Sequence, residues 1–257
     1  ETGDGAPGAP INETTCAERL DRLDALEVEL DRAVEGCAVD PLFVALQEAI
    51  AAHGLSRCHL AALIEANRHD QRASAYESWE SLREYCRLSA EPVGRLVLEI
   101  FGHATPELEW LSDDVCSALQ LLEHCQDVGE DLGRGRVYLP VQDMARFGCD
   151  RAMLSRSHAS PQLRSLIAFE VERARALLAS GRPLVASLRG AARVAVAGYV
   201  AGGHATVRAL ARCDHDVLAL EARPARRHII GYLLRELLLA RRAAASAEIE
   251  VRARQRA

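Results

Sequence analysis

Residues 119–140 read LQLLEHCQDVGEDLGRGRVYLP, a helical pattern that carries four acids and then stops in a basic, glycine-punctuated turn. Glu123, Asp127 and Asp131 recur at i, i+4 and i+8, with Glu130 three residues after Asp127. On one continuous helix that spacing puts their carboxylates on one face. A cation as hard as Mg²⁺ prefers such oxygen ligands, takes one or two protein carboxylates, and leaves its other positions to water and phosphate oxygens. Arg134 and Arg136 follow, with Gly133 and Gly135 beside them to turn the backbone, and guanidinium forks match phosphate oxygens. The stretch therefore reads as a site for Mg²⁺ and a diphosphate. By spacing alone, the same acids also fit the solvated face of a surface helix.

The whole string resembles the second aspartate-rich motif of the squalene/phytoene synthase family, where Asp-x-x-x-Asp runs into Gly-Arg-x-Tyr-Leu-Pro. Within that family it looks most like the bacterial hydroxysqualene synthases of hopanoid biosynthesis, because VQDMARFG follows at 141–148. Phytoene synthases usually carry Asn-x-x-Arg-Asp where this chain has Glu123-His124-Cys125-Gln126-Asp127. Residues 84–94, EYCRLSAEPVG, and the tail at 169–210 match the same family. The resemblance implies an all-α, single-domain isoprenoid synthase bundle around a central cavity.

It also implies roles, residue by residue. Asp127 and Asp131 would bind Mg²⁺, helped by Glu123 or Glu130. Gln126, Arg134, Arg136 and Tyr138 would bind the substrate, with Arg136 and Tyr138 facing its diphosphate, and Tyr85 would assist departure of the diphosphate or position water. The implied substrate is presqualene diphosphate, converted to hydroxysqualene by ionisation and water capture. Head-to-head prenyl transfer of the squalene or phytoene type is the alternative chemistry. A non-catalytic module that binds a prenyl diphosphate or pairs with a sister presqualene diphosphate synthase is the alternative of another class. The family's first aspartate-rich motif is absent from these residues, and residues 1–10 resemble the loop that leaves it, so the chain is expected to be a fragment with little turnover of its own.

Composition is compatible with this. A chain of 257 residues, 49% of them hydrophobic, can bury a sizeable core. All 31 basic residues are arginine, and the net charge of −6 argues against a nucleic-acid partner. The eight cysteines contain no Cys-x-x-Cys pair and read as free thiols in a reducing cytoplasm, with peripheral membrane contact a further expectation.

Helical punctuation covers nearly all of the sequence. Residues 1–14 read as a flexible segment, 15–246 as the helical domain and 247–257 as a polar tail. Leu20, Leu23, Leu26 and Leu30 form an apolar stripe opened by a capping box at Thr15 and Glu18 and closed at Gly36, leaving Asp21, Asp24 and Asp31 on the solvated face. Further helices are expected from Pro41 to Gly54, from about Leu60, from Ala75 to about Leu88, and from Pro92 to Gly102. One long helix is expected from Pro106 to about Leu132, with Asp113 and Asp114 near its start. Helices from Leu163 to Ala179, Pro183 to Ala211 and Arg227 to Ala245 complete the bundle; Ile230, Leu233, Leu234, Leu237 and Leu238 share one face of the last. The small-residue run 191–205 allows close helix packing or a widened apolar tunnel, while its length and its Arg193 and His204 argue against a membrane span. His124 and His204 read as hydrogen-bonded side chains rather than metal ligands.

Overall fold

The computed structural model describes the backbone of residues 13–254 and the side chains of residues 16–243. The loop expected at residues 1–10 lies outside them. Among the described residues the fold is all-α, with a single isolated bridge between Ala75 and Val137 in place of any strand.

Helix α6 (Pro106–Gln126) is the central element. Thr105 caps it by accepting from the Leu108 N–H, and Pro106 occupies its first turn, where a missing N–H costs nothing. Val115, Ala118, Leu121, Leu122 and Cys125 are buried along it at helical spacing. Helix α9 (Pro161–Gly181) lies alongside and contributes Leu163, Leu166, Ile167, Val171, Ala174 and Leu178 to the same core. On one flank stand α4 (Trp79–Ser89) and α5 (Glu91–Ile100); on the other, α10 (Pro183–Ser187), α11 (Gly190–Arg212) and α12 (Arg226–Arg254). Helices α1 (Glu13–Glu35), α2 (Pro41–His53) and α3 (Arg57–Arg72) form an outer layer on the α4–α5 side.

Several sequence expectations need correction. The long helix does not run to Leu132: it ends at Gln126, and a short α7 (Val128–Gly133) follows after Asp127, whose φ of −100° and ψ of 18° leave the helical basin. Likewise α10 and α11 are separate, because Leu188 and Arg189 are extended and the Arg193 guanidinium donates to the carbonyls freed there, on Leu188 and Ala186. Thr15 is already helical, so helix α1 does not start with the expected capping box. Helix α4 begins at Trp79 rather than Ala75, behind a reciprocal Ser78–Ser81 capping box. Residues 74–77 are instead occupied in pairing, with the Val137 N–H donating to Ser74 and the Val141 N–H to Tyr76.

Asp113 and Asp114 are not first-turn acids; they lie two turns into α6 and face other helices. Arg95 grips Asp113 through Nε and Nη2, at 3.0 and 2.6 Å. Arg83 bridges Glu91 at 2.9 Å and Asp114 at 3.0 Å, while Ser117 and Ser180 donate to Glu91 and Asp114. This network ties α4, α5, α6 and α9 together through satisfied charges. The acids of α1 also have partners: Asp24 binds Arg68 at 2.7 Å and Asp31 binds Arg57 at 2.6 Å, which supports a solvated, structural face. All eight cysteines are free.

Two substitutions test this packing. A Cβ on Gly181 would lie 2.5 Å from the Leu111 carbonyl oxygen and 2.6 Å from Val115 Cγ2, and backbone cannot yield easily. Gly181→Ala should therefore cost about 1–3 kcal/mol and lower the melting temperature by several degrees, readable by thermal denaturation. Burial pushes the Glu170 carboxyl up to about 7, although Arg173 partly opposes this. A carboxyl raised above its unfolded value contributes stability at low pH that is lost as pH rises through the folded value. Denaturant titrations at about pH 5 and about pH 8 should show this loss, on the order of 2–3 kcal/mol, in the parent protein and a clearly smaller one in Glu170→Gln.

Candidate functional site

The C-terminal end of α6 carries the acids into an open cleft. Glu123, Gln126, Asp127 and Glu130 line it on one side and residues 217–223 on the other, around about 650 Å³. The Gln126 amide donates to the Ala222 carbonyl oxygen and so ties α6 to that opposite wall. Glu123 and Asp127 have no cationic partner within salt-bridge distance among the described residues, whereas the exposed Glu130 pairs with Arg134 at 2.7 Å.

The electrostatics of this end are unfavourable in the absence of a cation. Burial raises the Asp127 carboxyl above its ordinary range, and the charges of Asp131, Glu130 and Glu123 push it further. These acids also stand at the negative end of a 21-residue helix dipole. A divalent cation bound there would relieve both repulsions. No group of three or more His, Cys, Asp or Glu converges on one point among the described residues. Mg²⁺ fits this sparse set, since it needs only one or two protein carboxylates when phosphate oxygens and water supply the rest.

The break at Asp127 alters the single acidic face read from the sequence. Asp131 is not among the residues that line the cleft. It faces His124, with its Oδ2 at 3.9 Å from Nδ1, and the Gln120 amide lies at 3.1 Å from His124 Nε2. The His124 ring stacks on Tyr138 at 3.8 Å between centroids and 9° between planes. His124 is thus a packed, hydrogen-bonded side chain, as its type suggested.

Tyr138 belongs to a second cluster that spacing alone does not reveal. Asp70, at the end of α3, accepts from the Tyr138 hydroxyl at 3.2 Å and pairs with Arg136 at 3.3 Å. Tyr76, Tyr85, Tyr138, His69 and His124 form a continuous ring cluster, with Tyr85 at 5.3 Å from Tyr76 and 5.7 Å from Tyr138. Burial, then the charge of Asp70, raises the Tyr85 phenol well above its ordinary value, so its hydroxyl remains a donor. The Tyr76 hydroxyl and His69 Nε2 are buried without a protein partner. Residues 69–76, RHDQRASAY from Arg68 on, show no periodicity that points to this role. The signal that links them to Arg136 and Tyr138 is the pairing of 74–77 with 137–142.

An apolar cavity of about 200 Å³ adjoins the cleft, between α5, α6 and α11. Val93, Val97, Leu119, Leu184 and Val196 line it, and Glu123 stands at its edge as well as in the cleft. The small-residue run divides its roles. Val196 and Tyr199 line the cavity, whereas Gly203 packs where a Cβ would meet Leu178 and Leu119 at 2.9–3.0 Å. Of the expected site residues, the structure thus brings Glu123, Gln126, Asp127 and Glu130 to the cleft. Tyr85, Asp131, Arg136 and Tyr138 meet around His124 and Asp70, and Arg134 lies outside both groups on the surface.

Comparison with known proteins identifies the family. Residues 9–229 match the family model for squalene/phytoene synthase. Hydroxysqualene synthases of Zymomonas mobilis and Rhodopseudomonas palustris are 35% and 36% identical over 172 residues, covering 65% and 66% of this chain. The matched region spans 57% and 58% of those two proteins. The crystal structure of a squalene synthase from Alicyclobacillus acidocaldarius superposes with a TM-score of 0.73 at 41% identity, covering 79% of this chain and 81% of that one. A dehydrosqualene synthase at 22% identity shares the fold, with a TM-score of 0.77 over 87% of this chain and 83% of that one. With its family match running through the acidic end of α6, the ring cluster and the apolar cavity, the chain belongs to the squalene/phytoene synthase family.

Proposed function

We propose that this chain carries the diphosphate-handling and hydrocarbon-binding parts of a Mg²⁺-dependent isoprenoid synthase that converts presqualene diphosphate to hydroxysqualene. The observation that carries the reading is the position of Glu123, which lines the acidic cleft and the apolar cavity at once. A ligand with a charged head and a long hydrocarbon tail is the chemistry that joins such compartments. The hydroxysqualene synthases among the relatives favour this product over phytoene.

Mg²⁺ bound at the cleft would neutralise the charge that develops on a departing diphosphate. Glu123 and Asp127 would hold it, with Glu130 or Asp131 assisting. Arg136 is oriented by Asp70 and keeps further N–H donors for phosphate oxygens, while Tyr138, whose single hydroxyl proton goes to Asp70, would exchange that bond to donate to one. Tyr85, kept protonated by burial, is a donor for the leaving group or for a water. The apolar cavity excludes bulk water from the carbocation, so that one positioned water can give an alcohol. No nicotinamide is required for that outcome. A sister synthase that makes presqualene diphosphate would supply the substrate.

Binding tests the cleft directly. Isothermal titration with farnesyl diphosphate should show affinity that depends on Mg²⁺, and an Asp127→Asn, Asp131→Asn double variant should lose about tenfold or more of it. Equal affinity with and without Mg²⁺ would remove the basis for the proposal. The single Asp127→Asn variant should also melt higher than the parent in metal-free buffer at neutral pH, by about a degree or two. It removes a carboxyl whose folded value is raised and which is therefore destabilising when ionised.

Product identity tests the reaction. In a chain extended to the length of those relatives, presqualene diphosphate and Mg²⁺ should yield an alcohol without added reductant, identified by mass spectrometry. Phytoene from geranylgeranyl diphosphate, or squalene formed only with a nicotinamide, would assign the chain to another branch of the family.

A further inference from the structure

Away from the acidic cleft and the apolar cavity, α3, α4, α5 and α6 meet around a separate pocket of about 420 Å³. His59 comes from α3, Arg83 and Arg87 from α4, Arg95 from α5 and Trp110 from α6. None of the five lines the cleft or the cavity. His59 is fixed from behind: the buried Glu99 carboxylate accepts from the Ser56 hydroxyl and, at 3.0 Å, from the Ser56 N–H, and it stands 3.1 Å from His59 Nδ1. With Nδ1 engaged there, Nε2 is left for a ligand, as an acceptor when the ring is neutral and a donor when it is protonated.

The arginines keep donors in reserve. Arg83 spends Nε and Nη2 on Glu91 and Asp114, and Arg95 spends the same two nitrogens on Asp113, so each retains its Nη1 group. Arg95 Nη1 lies 3.8 Å from Glu109, too far for a hydrogen bond. Arg87 is the least committed: its partner Glu84 lies at 3.2 Å with both side chains exposed, and such a pair holds weakly. The carboxylates on the pocket wall, Glu91 and Asp113, are those already held by Arg83 and Arg95, while Glu84, Glu109 and Asp114 do not line it. The wall therefore sets three guanidinium groups against two carboxylates. At its rim Trp110 is 72% exposed and offers a ring face that packing does not use.

We propose that this pocket binds a nucleotide, with the phosphate on Arg87, Arg83 and His59 and the base stacked on Trp110. Guanidinium groups match phosphate oxygens in geometry and charge, and an aromatic face is a stacking platform for any base. The volume lies in the range of small-molecule sites. A prenyl diphosphate is the poorer occupant, because the wall offers its hydrocarbon tail only Ala62, Pro92 and Trp110. Helix α4 carries Tyr85 between Arg83 and Arg87, so the pocket and the ring cluster share one helix. The inference rests on this pocket alone and does not depend on the reaction proposed above.

Isothermal titration of the intact chain with adenosine monophosphate, in buffer free of Mg²⁺, tests it. Binding should be saturable and roughly tenfold tighter than that of ribose 5-phosphate or inorganic phosphate, because only the nucleotide carries a ring to stack. It should also quench tryptophan fluorescence. Trp79 and Trp110 are the two tryptophans, and Trp79 is half-buried beneath Arg173, so the quenching should vanish in Trp110→Leu. Arg87→Gln should weaken binding about tenfold for nucleotide and phosphate alike. Both side chains are exposed, so the melting temperature of either variant should stay close to the parent's. The preference of the parent protein among the three ligands needs no variant. Absence of nucleotide binding, equal affinity for inorganic phosphate, or binding that requires Mg²⁺ and so belongs to the acidic cleft overturns the proposal. So does binding that neither Arg87→Gln nor Trp110→Leu alters.

Discussion

Like charges held at the negative end of a buried helix are the constraint on which the rest of this structure depends. Glu123 and Asp127 stand at the end of α6, close enough to Glu130 and Asp131 for their charges to raise the Asp127 carboxyl. Neither the local electrostatics nor the helix dipole favours that arrangement. It persists because α6 is packed on several sides at once, by α9, α5, α4 and α11. Moving the acids apart would mean withdrawing Leu121, Leu122 and Cys125 from the core, at a hydrophobic cost larger than the repulsion relieved. The strain at the cleft and the depth of the core are two aspects of one helix.

The rest of the fold supports that helix with satisfied charge. Arg83 and Arg95 bind Glu91, Asp113 and Asp114 between α4, α5 and α6, so these buried and half-buried acids are neutralised while those facing the cleft are not. The contrast marks the cleft more clearly than acid content does, because Asp113, Asp114 and the cleft's Glu123 are carboxylates on the same helix. Asp70 plays the corresponding part for the donors. It orients Arg136 and Tyr138 from a helix more than sixty residues earlier, through the pairing of residues 74–77 with the loop after α7.

Much of this was legible in the sequence. Glu123, Asp127, Arg136, Tyr138 and Tyr85 stand out by motif, and Pro41, Gly54, Pro92, Gly102 and Pro106 mark helix boundaries that the structure places within a few residues. Other features were not legible. Asp113 and Asp114 look like first-turn acids, and only the positions of Arg95 and Arg83 on neighbouring helices show that they are cross-links. The helix break at Asp127 carries no proline and no cap signal; its glycine at 129 is tolerated within α7. Ile230, Leu234 and Leu238 have the same residue types as Leu233 and Leu237, yet only the latter two meet the core.

The sequence by itself determined the all-α class, the family and the acids at the end of α6, because helical periodicity, proline and glycine punctuation, and motif spacing are local properties of the chain. The tertiary structure alone decided which acids are neutralised and which face the cleft, how Asp70 meets Arg136 and Tyr138, and where Glu123 joins the two compartments. It also decided which stripe of α12 is left outside the core. Each of these depends on contacts between residues distant along the chain. Such contacts are set by packing between helices, and no spacing within one segment encodes which surface a neighbouring helix will cover.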